Sequence, residues 1–293
     1  MILCGCVFIV ACVLMSELDR LLKQIETTRK ASEKKTKNTN VLASADPLHE
    51  IADNTVTKSH ALSRAYYRFG LVEKRCMESL ISKLNPMRSD NDIQHIELSA
   101  VEYRSAFPDS GQHAYDHLVL AVDALLNRVI VIPESDDKLI KMTLTVQAVY
   151  EKSKGKITVS FNPLVVPHLL GLREKFSSYP LRKSVNFGSS YTWRFYEILV
   201  SWVDKKKVGG HFVGWIDKQS VSELREMLGV PKSYQWVHFQ KQVLDMVQSE
   251  LKAKANIFVH FERVKTGRKI THLNIKFIED DQQQLPLEGG AGS

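Results

Sequence analysis

Cysteine is scarce in this sequence and unevenly placed. Of four cysteines in 293 residues, Cys4, Cys6 and Cys12 fall at the very start, and Cys76 stands alone within a segment of helical periodicity. A disulfide-stapled protein needs cysteines paired throughout its fold. The sequence therefore excludes that class.

Long apolar runs are also missing. The opening run, MILCGCVFIVACVL, has about fourteen residues, fewer than the roughly twenty that a bilayer-spanning helix needs. It lacks the basic start of a secretory signal, and its IVAC resembles a lipoprotein cleavage box only loosely. We therefore expect a cytoplasmic protein without membrane contact, whose functional chain begins at Met15 and for which residues 1–14 are an upstream extension.

Several catalytic patterns do not occur. There is no His-hydrophobic-His motif of DNA-nicking initiators and no G-x-x-x-x-G-K-[ST] phosphate loop. His113 and His117 lie four apart, as zinc ligands often do, but HAYDH lacks the glutamate of H-E-x-x-H and shows no third ligand. We expect no catalytic residue, no metal site and no cofactor, so that binding carries the function.

Acidic residues are rare where basic residues are dense. The whole chain has 40 Lys and Arg against 33 Asp and Glu, with a net charge of +7. Residues 251–276 contain seven Lys and Arg and one acid, Glu262. A positive field concentrated in one segment favours a polyanionic partner such as nucleic acid.

The pattern of elements divides the chain into an arm and two domains. Residues 1–59 join the apolar extension to a polar stretch that predicts a flexible arm. Residues 60–170 show three helical segments, VEKRCMESLISKL, IELSAVEYRSAF and QHAYDHLVLAVDALL, and then two strands, LIKMTLTVQAVYE and GKITVSF, joined by KSKG. Residues 171–280 repeat this order, and residues 281–293 predict a flexible tail.

The second domain supports an internal repeat. Its helical segments are SSYTWRFYEILVSWVDKK, KQSVSELREMLGV and SYQWVHFQKQVLDMVQSELKAKA. The spacing S-x-x-E-φ-R-x-x-φ occurs in both SAVEYRSAF and SVSELREML, where the serine can cap a helix and the acid can complete a capping box. Capping explains only Ser and Glu, so the shared Arg, apolar positions and element order predict a duplicated domain.

The last segment, FERVKTGRKITHLNIKF, predicts a β-hairpin with a basic tip. Leu273, Ile275 and Phe277 alternate with polar residues, and the glycine of KTGRK suits a tight turn. Two helices followed by a basic hairpin are typical of a winged helix-turn-helix, in which a helix enters the major groove and the hairpin contacts phosphates. The predicted fold class is α+β, with two tandem winged helix-turn-helix domains. A solvated hairpin tip is the alternative for the basic residues.

With SSYTWRFYEIL, SVSELREMLGV, FQKQVLDMVQSEL and KTGRKITHLNIKF in this order, the chain resembles the replication initiators of theta-replicating, iteron-bearing bacterial plasmids. The resemblance extends over roughly residues 55–280. It implies two winged helices of shared descent that bind direct repeats in double-stranded origin DNA as monomers. It also implies dimerisation through the first domain, repression of the protein's own gene by the dimer, and host partners such as a helicase loader.

The resemblance also implies which residues meet DNA. The groove-reading helix of the second domain would open at Lys232 and continue to Gln242, and the wing would supply three cations, while residues 110–115 would be the first-domain counterpart. The full set is Lys232, Ser233, Tyr234, Gln235, Lys241, Gln242, Lys265, Arg268, Lys269, Ser110, Gln112, His113 and Tyr115. The apolar residues of the same helix are expected in the core: Trp236, Val237, Val243, Leu244 and Val247.

Two alternatives for the whole protein remain open on the residues alone. A dedicated transcriptional repressor would bind DNA through the same helices and wings. An RNA-binding role would need a sheet with exposed aromatic residues, which the pattern does not indicate.

The segment QQQLPL resembles the short peptides with which bacterial replication proteins bind the sliding clamp. Gln282, Leu285 and Leu287 would be its anchors. A disordered polar tail is the other interpretation.

Overall fold

A computed structural model describes residues 50–84, 95–135, 137–170, 175–203 and 212–280. Residues 1–49 and 281–293 lie outside this part; they hold the extension, most of the predicted arm and the clamp-binding residues Gln282, Leu285 and Leu287. The last ten residues of the predicted arm, 50–59, are described, and they include a strand, Thr55–Ser59, in which Val56 and Lys58 are buried. The predicted boundary after residue 170 remains a prediction.

The first domain contains a winged helix. Strand β2 (His95–Ser99) leads into α3 (Ala100–Ala106) and α4 (Ala114–Leu126), and β5 (Thr145–Glu151) and β6 (Lys156–Phe161) form a hairpin. The antiparallel sheet has the order β2-β6-β5. A separate hairpin of β3 (Val129–Ser135) and β4 (Lys138–Thr143) is inserted after α4.

The second domain repeats this topology. Strand β8 (Val213–Ser220) leads into α7 (Val221–Leu228), a second helical run follows, and β9 (Ile257–Thr266) and β10 (Lys269–Glu279) form the hairpin. The sheet order is β8-β10-β9, which matches that of the first domain. The predicted pair of winged helices is confirmed, in an α+β fold.

Two predicted boundaries were wrong for one physical reason. The residues before each capping serine, IEL and KQ, were included in the helical segments, but they belong to strands β2 and β8. Likewise LIKMTLTVQAVYE is two strands, because β4 pairs with β3 and β5 pairs with β6, with buried Leu144 between them. These pairings join distant residues such as Ser99 and Lys156, and local periodicity does not report them.

The predicted helix caps form where the repeat placed them. Ser99 Oγ accepts from the Glu102 N–H at 3.2 Å, and the Glu102 carboxylate accepts from the Ser99 N–H at 2.8 Å, which completes a capping box. Ser220 Oγ caps α7 by accepting from the Glu223 N–H at 3.4 Å. The Glu223 carboxylate instead accepts from the Gln219 amide at 3.2 Å.

The remaining elements pack around and between the two winged helices; the helix Leu71–Ser82, for example, packs on α4 of the first. They are β1 (Thr55–Ser59), α1 (His60–Ser63), α2 (Leu71–Ser82), α5 (Val166–Leu169), β7 (Phe176–Pro180) and α6 (Ser190–Ser201). Strands β1 and β7 pair antiparallel, and α6 packs on α1 and β7 and also on α7. Trp193, Tyr196 and Leu199 of α6 are buried as predicted.

A buried cluster of charges lies at this junction. Lys58 of β1, Lys74 and Glu78 of α2, and Arg194 and Glu197 of α6 are each at most 2% exposed. Lys74 Nζ lies 2.7 Å from both carboxylates, and Lys58 pairs with both as well. Burial by itself raises the pKa of Glu197, but the three cations hold it well below its ordinary value.

Candidate DNA interface

The helix-turn-helix of the second domain turns at a glycine. Gly229 follows α7 with φ +65°, and its N–H and that of Val230 donate to the carbonyls of Glu226 and Arg225 at 3.0 and 2.9 Å. This left-handed C-terminal cap satisfies carbonyls that the helix end leaves free. The chain is thereby directed away from α7 toward the next helix.

Arg225 holds the turn that follows. Its guanidinium donates to the carbonyls of Pro231, at 3.3 Å, and Tyr234. It also lies 5.4 Å from the ring centroid of Phe239 in the next helix. The Arg of the repeated motif therefore fixes the angle between the two helices in this domain, whereas Arg104 of the first copy is exposed.

The groove-reading helix begins four residues later than predicted. It consists of α8 (Trp236–Phe239), a wider π turn (Gln240–Leu244) and α9 (Asp245–Ala255), which run on without a break; we call residues 236–255 the recognition helix. Gln235 is its N-cap residue, and Lys232, Ser233 and Tyr234 lie in the preceding turn. The reason is that Arg225 holds the carbonyls at both ends of this turn.

One face of the recognition helix is buried and the other is open. Val243, Leu244 and Val247 are buried as predicted, together with Phe239 and Leu251. In its first half the open face carries Val237, His238, Lys241, Gln242 and Asp245, all exposed. An amide, a cation and a methyl-bearing side chain among them are types of group suited to base edges in the major groove.

The prediction that Val237 belongs to the core was wrong. Val237 is 68% exposed, because it shares the outer face with Lys241, four residues on. Trp236 is only partly buried, and the guanidinium of Arg263 from β9 lies 5.9 Å from its ring centroid. Sequence reasoning therefore missed Val237 as a residue of the open face, because an apolar side chain predicts burial. It also missed its neighbour His238.

The wing of the second domain has the predicted basic tip. Thr266 pairs with Lys269, which leaves Gly267 and Arg268 as a two-residue turn, and Gly267 has φ +62°. Lys265, Arg268 and Lys269 are exposed. Among the residues that the structure describes, no carboxylate lies within ion-pair distance of these three side chains.

The corresponding tip in the first domain is largely neutralised. Lys154 Nζ lies 2.6 Å from Glu151, and Lys156 Nζ lies 2.6 Å from Glu97. The hydrogen bond from Lys154 lowers the pKa of Glu151, and the one to Glu97 raises the pKa of Lys156. These pairs leave less free positive charge at this wing than at the second.

The predicted first-domain contacts are placed unequally. Gln112 and His113 are exposed at the start of α4, and His113 lies 3.7 Å from Asp116. Tyr115 is partly buried. Ser110 is buried and its hydroxyl donates to the Phe107 carbonyl at 2.7 Å, so we leave it out of the interface proposed below.

Arg68 is a further cation, beside the turn of the helix-turn-helix. Its side chain is exposed. Its backbone lies close to Gly229: a Cβ added at Gly229 would lie 2.9 Å from the Arg68 Cα and 2.8 Å from the Arg68 Cβ. Tyr191 lies nearby. Its pKa is raised, chiefly by burial and also by Tyr234, and Arg68 opposes this rise. Because Arg68 and Gly229 are far apart in sequence, no sequence signal identifies this neighbour.

The described residues offer neither a metal site nor a membrane span. No group of three or more His, Cys, Asp or Glu residues there is arranged to hold a metal ion. None of the helices in that part of the chain is long and apolar enough to cross a membrane.

The fold is shared with a solved DNA complex. The structure titled "Crystal structure of Pi initiator protein in complex with iteron DNA" superposes with a TM-score of 0.62 and 20% identity, covering 78% of this chain and 99% of that chain. The PI protein of Escherichia coli is 27% identical over 149 residues, 46% of this chain and 47% of that protein. The matched stretch thus spans about half the length of this curated relative.

Two family domains match along the chain. Residues 55–200 match "Initiator Replication protein, WH1", and residues 220–277 match "Initiator Rep protein, WH2". Together they cover most of the described residues, and their order is that of the two winged helices. The chain belongs to the initiator replication protein family, with one WH1 and one WH2 domain.

Proposed function

We propose that this protein starts theta replication of a plasmid by binding direct repeats in its origin. The observation that carries the proposal is the basic wing of the second domain, unpaired among the described residues, together with the exposed face of the recognition helix. A solved relative of the same fold is titled as a complex with iteron DNA, which supports the choice of ligand. The protein would act in the bacterial cytoplasm and would need no catalytic residue of its own.

In this proposal the recognition helix reads bases and the wing holds phosphates. Gln235, Lys241 and Gln242 have the amide and amine donors that bind adenine or guanine edges, and Val237 would contact a thymine methyl group. Lys265, Arg268 and Lys269 would displace counterions from the adjacent backbone. Lys232, Ser233 and Tyr234 in the turn, and Arg68 beside it, would meet the phosphates next to the helix.

The first domain would make a lesser DNA contact through the start of α4. Gln112, His113 and Tyr115 are its candidates, and their neighbourhood offers few unpaired cations. We therefore assign most of the binding free energy to the second domain.

The first domain would also form the dimer. Strand β5 is an edge of its sheet, and Val146, Val149 and Tyr150 are exposed along it. An open edge with apolar side chains is a template for pairing with a second copy. A monomer that binds repeats and a dimer that represses the gene would then interconvert, and a helicase loader and the sliding clamp would be host partners.

The decisive experiment separates initiation from repression. A plasmid without its own replicon receives the repeats that the purified protein protects from nuclease, and its maintenance is followed with and without the protein in trans. We expect replication only when the protein is present. Protection of the repeats without replication would instead show a dedicated repressor, and no protected repeat would refute both.

A further inference from the structure

The sheet of the second domain has an outer face that carries large apolar side chains. Strand pairing arranges this face in rows, because residues opposite each other share a side of the sheet. One row is Val213, Ile278 and Phe258, and the next is Trp215, Lys276 and His260. The residues between them, such as Phe277, face the core and are buried.

These side chains line an open groove. Trp215 is 54% exposed, Ile278 47% and Phe258 42%, and the groove across the three strands has a volume of about 520 Å³. Three large apolar residues grouped on one surface are typical of a site that another chain segment covers. The groove lies on the side of the sheet opposite the recognition helix and about 26 Å along β9 from the wing tip.

The chain leaves the sheet at the edge of this groove. The Glu279 N–H donates to the Phe212 carbonyl at 2.8 Å, and the Asp280 N–H donates to the Asn256 carbonyl at 2.9 Å. Asp280 lines a hollow together with Phe258 and Lys252, whose amine lies 5.3 Å from the Phe258 ring centroid. Asp280, the last described residue of this stretch, therefore lies next to the apolar row.

We propose that residues 281–293 fold back over this groove and place Leu285 and Leu287 on the patch formed by Trp215, Phe258 and Ile278. Leu285 is five residues beyond Asp280, which gives a reach of about 17 Å in extended chain. That distance exceeds the spacing of the three strands, which is about 10 Å from β8 to β9. The segment is therefore long enough to return.

The sequence of the segment fits the shape of the groove. A proline disfavours helical conformations at the residue before it, and in an extended chain Leu285 and Leu287 would project to the same side about 6 to 7 Å apart. The Ile278 row and the Trp215 row are separated by the same two-residue step along a strand. Two leucines can thus cover both rows at once.

Charge also favours this occupant. The segment carries Asp281 and Glu288 and no basic residue, whereas Lys276 stands in the middle of the second row of the groove and Lys252 lines the adjoining hollow. An acidic segment that holds two leucines is complementary to an apolar groove that carries one cation and has another beside it. Docked in this way, Leu285 and Leu287 are hidden from any other protein until the segment is released.

Tryptophan fluorescence tests the contact in the full chain. We expect deletion of residues 281–293 to raise acrylamide quenching of Trp215 by about twofold, the change that follows if the docked leucines shield about half of the exposed indole surface. The chain has four tryptophans, so the measurement is repeated with Trp215→Phe, in which the effect of deletion should vanish. A deletion that leaves quenching unchanged overturns the proposal.

Matched substitutions separate the leucines from the charge. Leu285→Asp with Leu287→Asp should reproduce the deletion, whereas Gln283→Asp with Gln284→Asp adds the same charge and should leave quenching as in wild type. Equal quenching in both double variants counts against the docking. A synthetic peptide of residues 281–293 should restore protection of the deleted protein at millimolar concentration, about the effective concentration of a short tether.

Dilution identifies the occupant. Protection by a segment of the same chain does not depend on protein concentration, so quenching should stay constant as the protein is diluted below its dimer dissociation. Protection that disappears on dilution would show a second copy in the groove and overturn the assignment. DNA binding should be equal in the full and deleted chains, and this keeps the test independent of the proposed function.

Discussion

The cations at the two wing tips differ in whether a carboxylate neutralises them. Lys154 in the first domain pairs with Glu151. Arg268 and Lys269 in the second are exposed and have no acidic partner within the described part of the chain. A cation that already pairs with a carboxylate contributes less binding free energy through counterion release than an unpaired one. The residues at the second tip should therefore dominate non-specific affinity.

Arg268→Ala should weaken binding to cognate and random duplex alike. We expect the slope of log K against log salt to become less steep by about one, because one phosphate contact is lost. Fluorescence anisotropy at several salt concentrations measures both effects. Lys154→Ala is the matched control and should change the slope less; if Arg268→Ala binds random duplex like wild type at every salt concentration, the tip is only a solvated turn.

Gln235→Ala should weaken binding to the cognate repeat and leave binding to random duplex nearly unchanged. Gln235 is exposed at the N-cap of the recognition helix and makes no side-chain cap, so its loss leaves the helix intact. We expect a cost of about 1 to 3 kcal/mol on the cognate repeat and little on random duplex, as for a lost base-edge contact. An equal loss on both DNAs, with unchanged circular dichroism, would mean that Gln235 contacts phosphate instead.

At the scale of elements, the helix-turn-helix depends on how closely its turn approaches the first domain. Gly229 and Gly155 both have left-handed φ, +65° and +61°. A Cβ at Gly155 would meet nothing within 4 Å, whereas one at Gly229 would lie 2.8 Å from Arg68 Cβ and 2.9 Å from the Tyr67 carbonyl. Comparing alanine substitutions at the two glycines therefore separates the cost of a left-handed backbone from the cost of steric crowding.

Gly155→Ala should lower the free energy of unfolding by about 1 to 2 kcal/mol, the cost of the left-handed backbone alone. Gly229→Ala should lower it by about 3 kcal/mol or more, because overpacking typically adds 1 to 3 kcal/mol. Denaturant unfolding measures both. Equal losses would show that segment 67–68 moves aside without cost.

The dimer edge offers a second element to test. Val149 is exposed on edge strand β5, and Val149→Lys places a charge where a second copy would pair. We expect more monomer by sedimentation and a change in folding stability within about 0.5 kcal/mol. Leu164→Lys, an exposed residue away from this edge, is the control; a Val149→Lys protein with unchanged dimer mass would exclude β5.

At the scale of the whole molecule, a buried ionic cluster connects the two halves. Arg194 of α6 donates to the Ala65 carbonyl at 2.9 Å, to the Met227 carbonyl of α7 at 3.1 Å, and to Glu197 at 2.7 Å. Glu197 also lies against Lys58 and Lys74. The second helix-turn-helix is thus tied to the first domain through groups that are all buried.

Glu197→Gln should be severely destabilising. It leaves three buried cations facing one carboxylate, and removing one partner of a buried ionic pair typically costs about 3 to 5 kcal/mol. Thermal unfolding at neutral pH measures the loss. Glu279→Gln removes the half-exposed pair with Lys183 and is the control, with an expected loss of about 1 kcal/mol at most.

The same residue predicts a pH dependence. The folded-state pKa of Glu197 is well below its ordinary value of 4.5, so its stabilisation is complete above that value and is lost as pH falls through the folded pKa. Wild type should therefore lose stability under acid conditions faster than Glu197→Gln. Parallel acid profiles of the two proteins would contradict a charged Glu197 in the folded state.

The sequence by itself determined the duplicated fold and the position of the second wing. Alternating Leu273, Ile275 and Phe277 and the turn at Gly267 are local signals, since strand periodicity and φ > 0 act within a few residues. The repeated Ser and Glu predicted both helix starts for the same reason. The family resemblance added the identity of the domains, which the comparisons confirmed.

Only the tertiary structure decided the third strand of each sheet, the exposure of Val237, the place of Arg68 beside Gly229 and the buried cluster around Glu197. Each depends on contacts between residues that are far apart in sequence. From the sequence alone, a charged residue is expected to be solvated and a valine to be buried. The packing partners decide whether that holds. Whether Lys58 is a surface lysine or the centre of an ionic cluster is set by α2 and α6, because the energy of a charge depends on the dielectric and the neighbours that folding places around it.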